Sequence, residues 1–323
     1  MIPRRPLLAA SLLALARPAL AQPAWPDRPV KVVVPYTPGG GLDALARALA
    51  DRLTAIWQQS VVVENRPGAA TITGTDAVAK AAPDGQTLLI TSDASITANP
   101  HLYKALPYDP LRDLAPVTQL LDVHQMVIAN PSARARDLPG FVAAAKAAPG
   151  RLNYASYGPG SQPHLLFEAL KAGAGIDLVQ VAYRGLPQAV LAVTTDEAQA
   201  TLSGVASAGQ QIQAGKLVAL AVGKPSRLAQ FPDVPTLAEL GLADIDPRTW
   251  FGVFAPGGTP EALRARIRAD IATALRDPAI EDRHLAPNGY TVHASAPADF
   301  AAFIRDDLAY KQRLIAISGA KVE

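Results

Sequence analysis

Residues 31–56 read KVVVPYTPGGGLDALARALADRLTAI. The β-branched run Lys31–Pro35 predicts a strand. Leu42, Leu45, Leu49, Leu53 and Ile56 then recur at helical spacing, which puts one apolar stripe on a helix. Between them lie Gly39, Gly40 and Gly41, so a strand runs through three glycines straight into a helix. Downstream, Val61–Glu64 predicts a second strand, Asn65–Gly68 a turn, Thr75–Ala81 a short helix and Thr87–Thr91 a third strand. The order β-α-β-α-β implies a largely parallel sheet covered on both faces, and hence an α/β fold.

The same grammar restarts after about residue 125. Helices are predicted at Phe141–Ala148, His164–Ala172, Pro187–Val193 and Ser207–Ala214, with strands at Leu152–Ala155, Leu178–Ala182, Ala198–Leu202 and Leu217–Val222. A proline-rich connection spans Pro225–Pro247. A strand at Trp250–Ala255 and helices at Pro260–Leu275 and Pro297–Ile317 close the chain. Two α/β units with facing loops are the expected outcome, and 323 residues suit two domains better than one core.

Cysteine is absent, which excludes disulfides, thiolate metal sites and cysteine nucleophiles. The formal charge of +2 arises near the start. Residues 1–21 carry Arg4, Arg5 and Arg17 and no acid, so the remainder holds 27 basic against 28 acidic side chains. No basic stripe is left for phosphates, and nucleic acid is not an expected partner. Arg4 and Arg5, the apolar run Leu7–Leu15 and the small-x-small sequence Ala19-Leu20-Ala21 read as a signal peptide over residues 1–21. Export to the periplasm, with cleavage before Gln22, is expected.

The glycine loop admits two readings. Glycines let the backbone approach a ligand, and the unpaired N–H groups and dipole of a helix start favour an anion. Alternatively it is a tight turn capped by Asp43. The spacing is neither that of a P-loop nor GxGxxG. A second loop, Tyr157-Gly158-Pro159-Gly160-Ser161-Gln162-Pro163-His164, repeats the strand–glycine–helix pattern in the second unit. It too reads either as an anion-friendly site or as a helix start with proline in the first turn. At Thr259-Pro260-Glu261 a helix N-cap followed by proline is the preferred reading. The five histidines are scattered, with no HExxH, and no GxSxG elbow is present, so neither a catalytic constellation nor a cofactor is expected.

The chain resembles the Bug family of extracytoplasmic solute receptors of tripartite tricarboxylate transporters. The matching runs include Trp25–Pro29, Pro35–Asp43, Val62–Ala69, Ala82–Gly85, Asn99–Tyr103 and Leu106–Pro110. Further on come Leu152–Ser156, Gly158, Gly160-Ser161, His164-Leu165, Pro232–Thr236, Trp250–Gly252 and Pro256–Pro260. They follow family order over the chain from residue 25. The resemblance implies a type II periplasmic-binding-protein fold, with residues 22–122 plus 250–323 as domain 1 and 123–249 as domain 2. It implies capture of a small carboxylate (dicarboxylate, tricarboxylate, amino acid or aromatic acid) by a monomer that serves the transporter's membrane subunits. An exported enzyme acting on a small organic acid is the alternative. Carried over residue by residue, the ligand contacts are Tyr36, Gly39, Gly40, Gly41, Ser92 and Ser95 in the first domain. In the second they are Tyr157, Gly160, Ser161, Tyr183 and Ser203. Asp93 departs from the family pattern, which has a neutral side chain there, as do Ala182–Gly185 and Thr195–Gln199. Asp93 either caps a backbone N–H or faces a positive or donor group of the ligand.

Overall fold

The computed structural model describes residues 25–247 and 249–320. The signal-peptide reading of residues 1–21 lies outside the described residues. Two sheets organise the chain, one of six strands and one of five.

The first sheet starts as the spacing predicts. Strand β1 (Val30–Val34) leads to helix α1 (Gly41–Trp57), then to β2 (Val61–Asn65), α2 (Ile72–Ala79) and β3 (Thr87–Ser92). β1 pairs in parallel with both β2 and β3. The α1 stripe is buried at Leu42, Leu45, Leu49 and Leu53, against Val30, Val32 and Val34 of β1. Each of those leucines contributes roughly 1.5–3 kcal/mol by leaving water. A single π-helical turn (Ala94–Ala98) and the short helix α3 (Asn99–Leu102) follow β3.

Next come two strands that the sequence pattern did not reveal, β4 (Leu114–Val123) and β5 (Gln125–Ala129). β4 belongs to the first sheet and β5 to the second, so the chain crosses between sheets at His124. The second sheet is built from α4 (Leu138–Ala147), β6 (Asn153–Ser156), α5 (Gln162–Ala174) and β7 (Val179–Ala182). It is completed by α6 (Leu186–Thr194), β8 (Ala200–Gly204), α7 (Val205–Gln213) and β9 (Val218–Val222). Asp137 starts α4 by accepting from the Gly140 N–H at 2.8 Å, a cap absent from the sequence reading. The chain returns to the first sheet with β10 (Thr249–Pro256). Helices α8 (Glu261–Leu275) and α9 (Pro278–Ile280), strand β11 (Thr291–Val292) and helix α10 (Pro297–Ser318) follow.

The strand orders are β11-β4-β10-β3-β1-β2 and β7-β6-β8-β5-β9. Both sheets are mixed rather than largely parallel. β10 runs antiparallel to β3 and β4, and β5 runs antiparallel to β8 and β9. The reason is the crossing: a strand returning from the other sheet enters from the opposite end.

The outward and return crossings lie side by side. Gly223 N–H donates to Gln125 O at 2.8 Å, and a Cβ on Gly223 would meet Pro247 at 2.3 Å. Thr249 and Trp250 pair with Val123 and Asp122. Helix α10 also spans both units. Its Phe300 packs on β10 where Gly252 leaves room, while Leu314 and Ile315 join a cluster with Leu102 of α3 and Leu165 and Ala169 of α5. Helix α8 begins one residue later than expected, with Pro260 as N-cap. Thr259 instead turns its hydroxyl back to Pro256 O at 2.7 Å, since a proline in the cap position already sets the entry angle.

Candidate ligand site between the two sheets

Buried valines anchor β1 and carry the chain into the glycine loop. Gly39 adopts φ +91°, a conformation that favours glycine. Its N–H donates to Asp43 Oδ2 at 2.9 Å. Asp43 is 3% exposed and also accepts from Asn65 Nδ2 at 2.9 Å and Arg47 Nε at 3.1 Å. Burial alone would raise the Asp43 carboxyl, but these donors hold it below the usual carboxylate range. The capping reading therefore describes part of the loop. Asp43 does secure the turn, but from the third helical position, and it engages Gly39 only. Among the described residues, the N–H groups of Gly40, Gly41 and Leu42 have no hydrogen-bond partner. Gly40 has φ −78° and ψ 167°, which any residue can adopt, and a Cβ there would meet nothing within 4 Å. A Cβ on Gly41 would lie 3.2 Å from the Tyr290 hydroxyl, a neighbour from the far end of the chain that no local pattern announces.

The end of β3 brings further groups to this loop. Tyr36 OH and Ser92 Oγ lie 2.7 Å apart. The Tyr36 phenol is pushed up to about 12, first by burial and also by the charge of Asp93. Ser95 is enclosed: its Oγ lies 2.5 Å from Thr91 Oγ1 and donates to Thr71 Oγ1 at 2.8 Å. Asp93 is 3% exposed and caps no backbone N–H. Lys311 Nζ of α10 lies 2.7 Å from its Oδ2, an ion pair whose angle falls outside hydrogen-bond geometry. Gln162 Nε2 donates to the same oxygen at 2.6 Å, and Thr249 Oγ1 to Oδ1 at 3.1 Å. One carboxylate thus joins β3, α5, β10 and α10.

The second loop packs against the first unit. Gly158 and Gly160 have φ of +111° and +73°. Gly160 N–H donates to His164 Nδ1 at 3.0 Å, which requires an unprotonated Nδ1, and burial lowers the His164 pKa accordingly. Ser161 is the N-cap residue of α5, yet its hydroxyl turns back to Gly158 O at 2.7 Å and leaves the helix start open. Tyr157 is half-buried, and burial, then the charges of Asp93 and Tyr36, raise its phenol. Tyr36, Ser92, Asp93, Tyr157 and the start of α5 therefore form one cluster. Tyr183 packs on the apolar cluster of the second sheet beside Leu186, and Ser203 is fully buried with its Oγ 3.3 Å from Gly204 O. No hydrogen bond among the described residues ties either one to the tyrosine cluster.

Lys311, Gln162 and Thr249 were missed by sequence reasoning. Gln162 and Thr249 stand beside residues it did single out, but Lys311 is 218 positions from Asp93 and carries no local signal.

Comparison with known proteins agrees with this fold. The chain is 34% identical over 322 residues to BugT of Bordetella pertussis, covering 98% of each chain. A protein of R. palustris solved with adipate superposes with a TM-score of 0.82 at 28% identity, over 92% of this chain and all of the other. MatC from Rhodopseudomonas palustris with bound malate superposes with a TM-score of 0.78 at 28% identity, over 90% of this chain and all of the other. Residues 45–319 match the family described as the tripartite tricarboxylate transporter family receptor, and the chain belongs to that family.

Proposed function

We propose that the chain is an extracytoplasmic receptor that captures a small carboxylate between two lobes and presents it to the membrane subunits of a tripartite transporter. The lobes are residues 22–122 plus 250–323 and residues 123–249, rotating about the paired crossings at His124 and Thr249. The observation that carries this reading is the set of unpartnered N–H groups at Gly40, Gly41 and Leu42, beside a tyrosine cluster drawn from both sheets. Such a helix start favours a carboxylate, and charge-assisted hydrogen bonds to it contribute roughly 1.5–3 kcal/mol each. The hydroxyls of Tyr36, Ser92, Tyr157 and Ser161 complete the site, with Tyr183 and Ser203 serving the second lobe. Relatives solved with adipate and with malate support the ligand class. The leader-like run Arg4–Ala21 supports export, and a monomer suffices for the site.

Mass spectrometry of the molecule that co-purifies with the protein, followed by calorimetry with adipate, malate and the neutral adipamide, tests the reading. Binding of an acid without turnover, and none of the amide, is expected. Turnover of the acid, or preference for the amide, would sink it.

A further inference from the structure

We infer that Lys311 is a specificity-determining residue that acts through Asp93, masking a carboxylate at the ligand cluster so that the site accepts an anion. The inference rests on the carboxylate-receptor reading above. Asp93 sits among the groups that form the site: it shares Gln162 with the start of α5, and its charge acts on both Tyr36 and Tyr157. Gln162 and Thr249 are neutral donors and leave the carboxylate's charge in place. Among the described residues, Lys311 is the cation paired with it. It has no exposed surface, and its ammonium lies 2.7 Å from Asp93.

An ammonium loses most of its hydration on burial, and breaking such a pair leaves the remaining charge uncompensated. Burial therefore opposes the charge on Lys311, yet Asp93, with Asp307 one turn earlier on α10, raises its pKa and keeps it cationic. Asp307 in turn accepts from Thr97 Oγ1 at 2.6 Å and Trp250 Nε1 at 2.8 Å. Among the described residues, the titratable and charged groups around the pair are Tyr36, Tyr157, Asp307 and Tyr310. A carboxylate ligand beside an unmasked Asp93 would meet like charge at low dielectric, where repulsion is strongest.

The two single variants should therefore move affinity in opposite directions. Lys311→Met leaves the Asp93 carboxylate without its cation. Calorimetry with adipate and malate should show at least a tenfold loss relative to wild type. Asp93→Asn leaves Lys311 facing Asp307 alone and should tighten the same acids several-fold. In the double variant there is no Asp93 charge to mask, so it should bind the acids at least tenfold more tightly than Lys311→Met, and within a few fold of wild type if Lys311→Met fails to fold. Equal weakening by both single variants, or a double variant that loses the acids as Lys311→Met is expected to, would reduce the pair to a packing element and overturn the inference. Wild-type protein that binds neither these acids nor any other carboxylate would overturn both the inference and the reading beneath it.

Discussion

Leu102 of α3 occupies the space that a side chain at Gly160 would need. A Cβ there would lie 2.5 Å from both Leu102 methyls. The contact joins the second glycine loop to the first unit, beside the cluster that α10 makes with α5.

Gly160→Ala meets two penalties, the overlap with Leu102 and a φ of +73°. The left-handed conformation alone costs roughly 1–2 kcal/mol for a residue with a Cβ. Chemical denaturation should show a loss at least that large, and a smaller one when the same change is made in a Leu102→Ala background. Relief of the overlap term with the conformational one kept is the expected pattern.

Gly40 offers the converse case. Its backbone suits any residue and its surroundings are open, so Gly40→Val should leave stability within about 0.5 kcal/mol of wild type, as for surface changes generally. The new side chain would project into the space in front of the open N–H groups. Titration calorimetry should find acid binding at least tenfold weaker, and unchanged affinity would place the carboxylate elsewhere.

Asp43 should make part of the stability acid-labile. Its folded-state pKa is depressed below that of the unfolded chain, so its contribution is complete above about pH 4 and is lost as pH falls through the lower, folded value. Asp43→Ala should cost about 1.5–3 kcal/mol at neutral pH, the range for hydrogen bonds to a charged group. Denaturation curves of the two proteins should converge below that window. A gap that persists in acid would assign the loss to packing instead.

A bound acid should both stabilise and compact the protein. At 100-fold excess over its dissociation constant, a ligand specific for the native state adds about 2.7 kcal/mol. Differential scanning calorimetry should show the rise in melting temperature, and small-angle scattering a smaller radius of gyration. Stabilisation without compaction would describe a rigid binding module rather than two closing lobes.

Helix α1 was legible because its burial is one-sided: its leucines recur between exposed positions, and that contrast is visible along the chain. Strand β1 was legible as a β-branched run, buried at every position but Lys31. β4 was not legible because buried polar groups interrupt its apolar positions. Thr118, Gln119 and Asp122 are all buried in β4, and their hydrogen bonds include Gln119 to Asp122 and two to Ser295. Such a strand shows neither alternation nor an apolar run. The glycine loops were legible because φ above zero restricts composition. Which of their N–H groups stay open was not, since that depends on Asp43 and His164 reaching back into the loops. The partner of Asp93 comes from the far end of the chain, where no local pattern can announce it.

β10 lies between β3 and β4, although more than a hundred residues separate it from either in sequence. Until residue 256 has left the ribosome, the first sheet lacks a central strand, and both β3 and β4 keep an edge without its ladder partner. The second sheet draws every strand from one continuous stretch, residues 125–222, and can be completed earlier. The order of synthesis is thus the reverse of the order of assembly: the segment made first is the last to become a closed sheet.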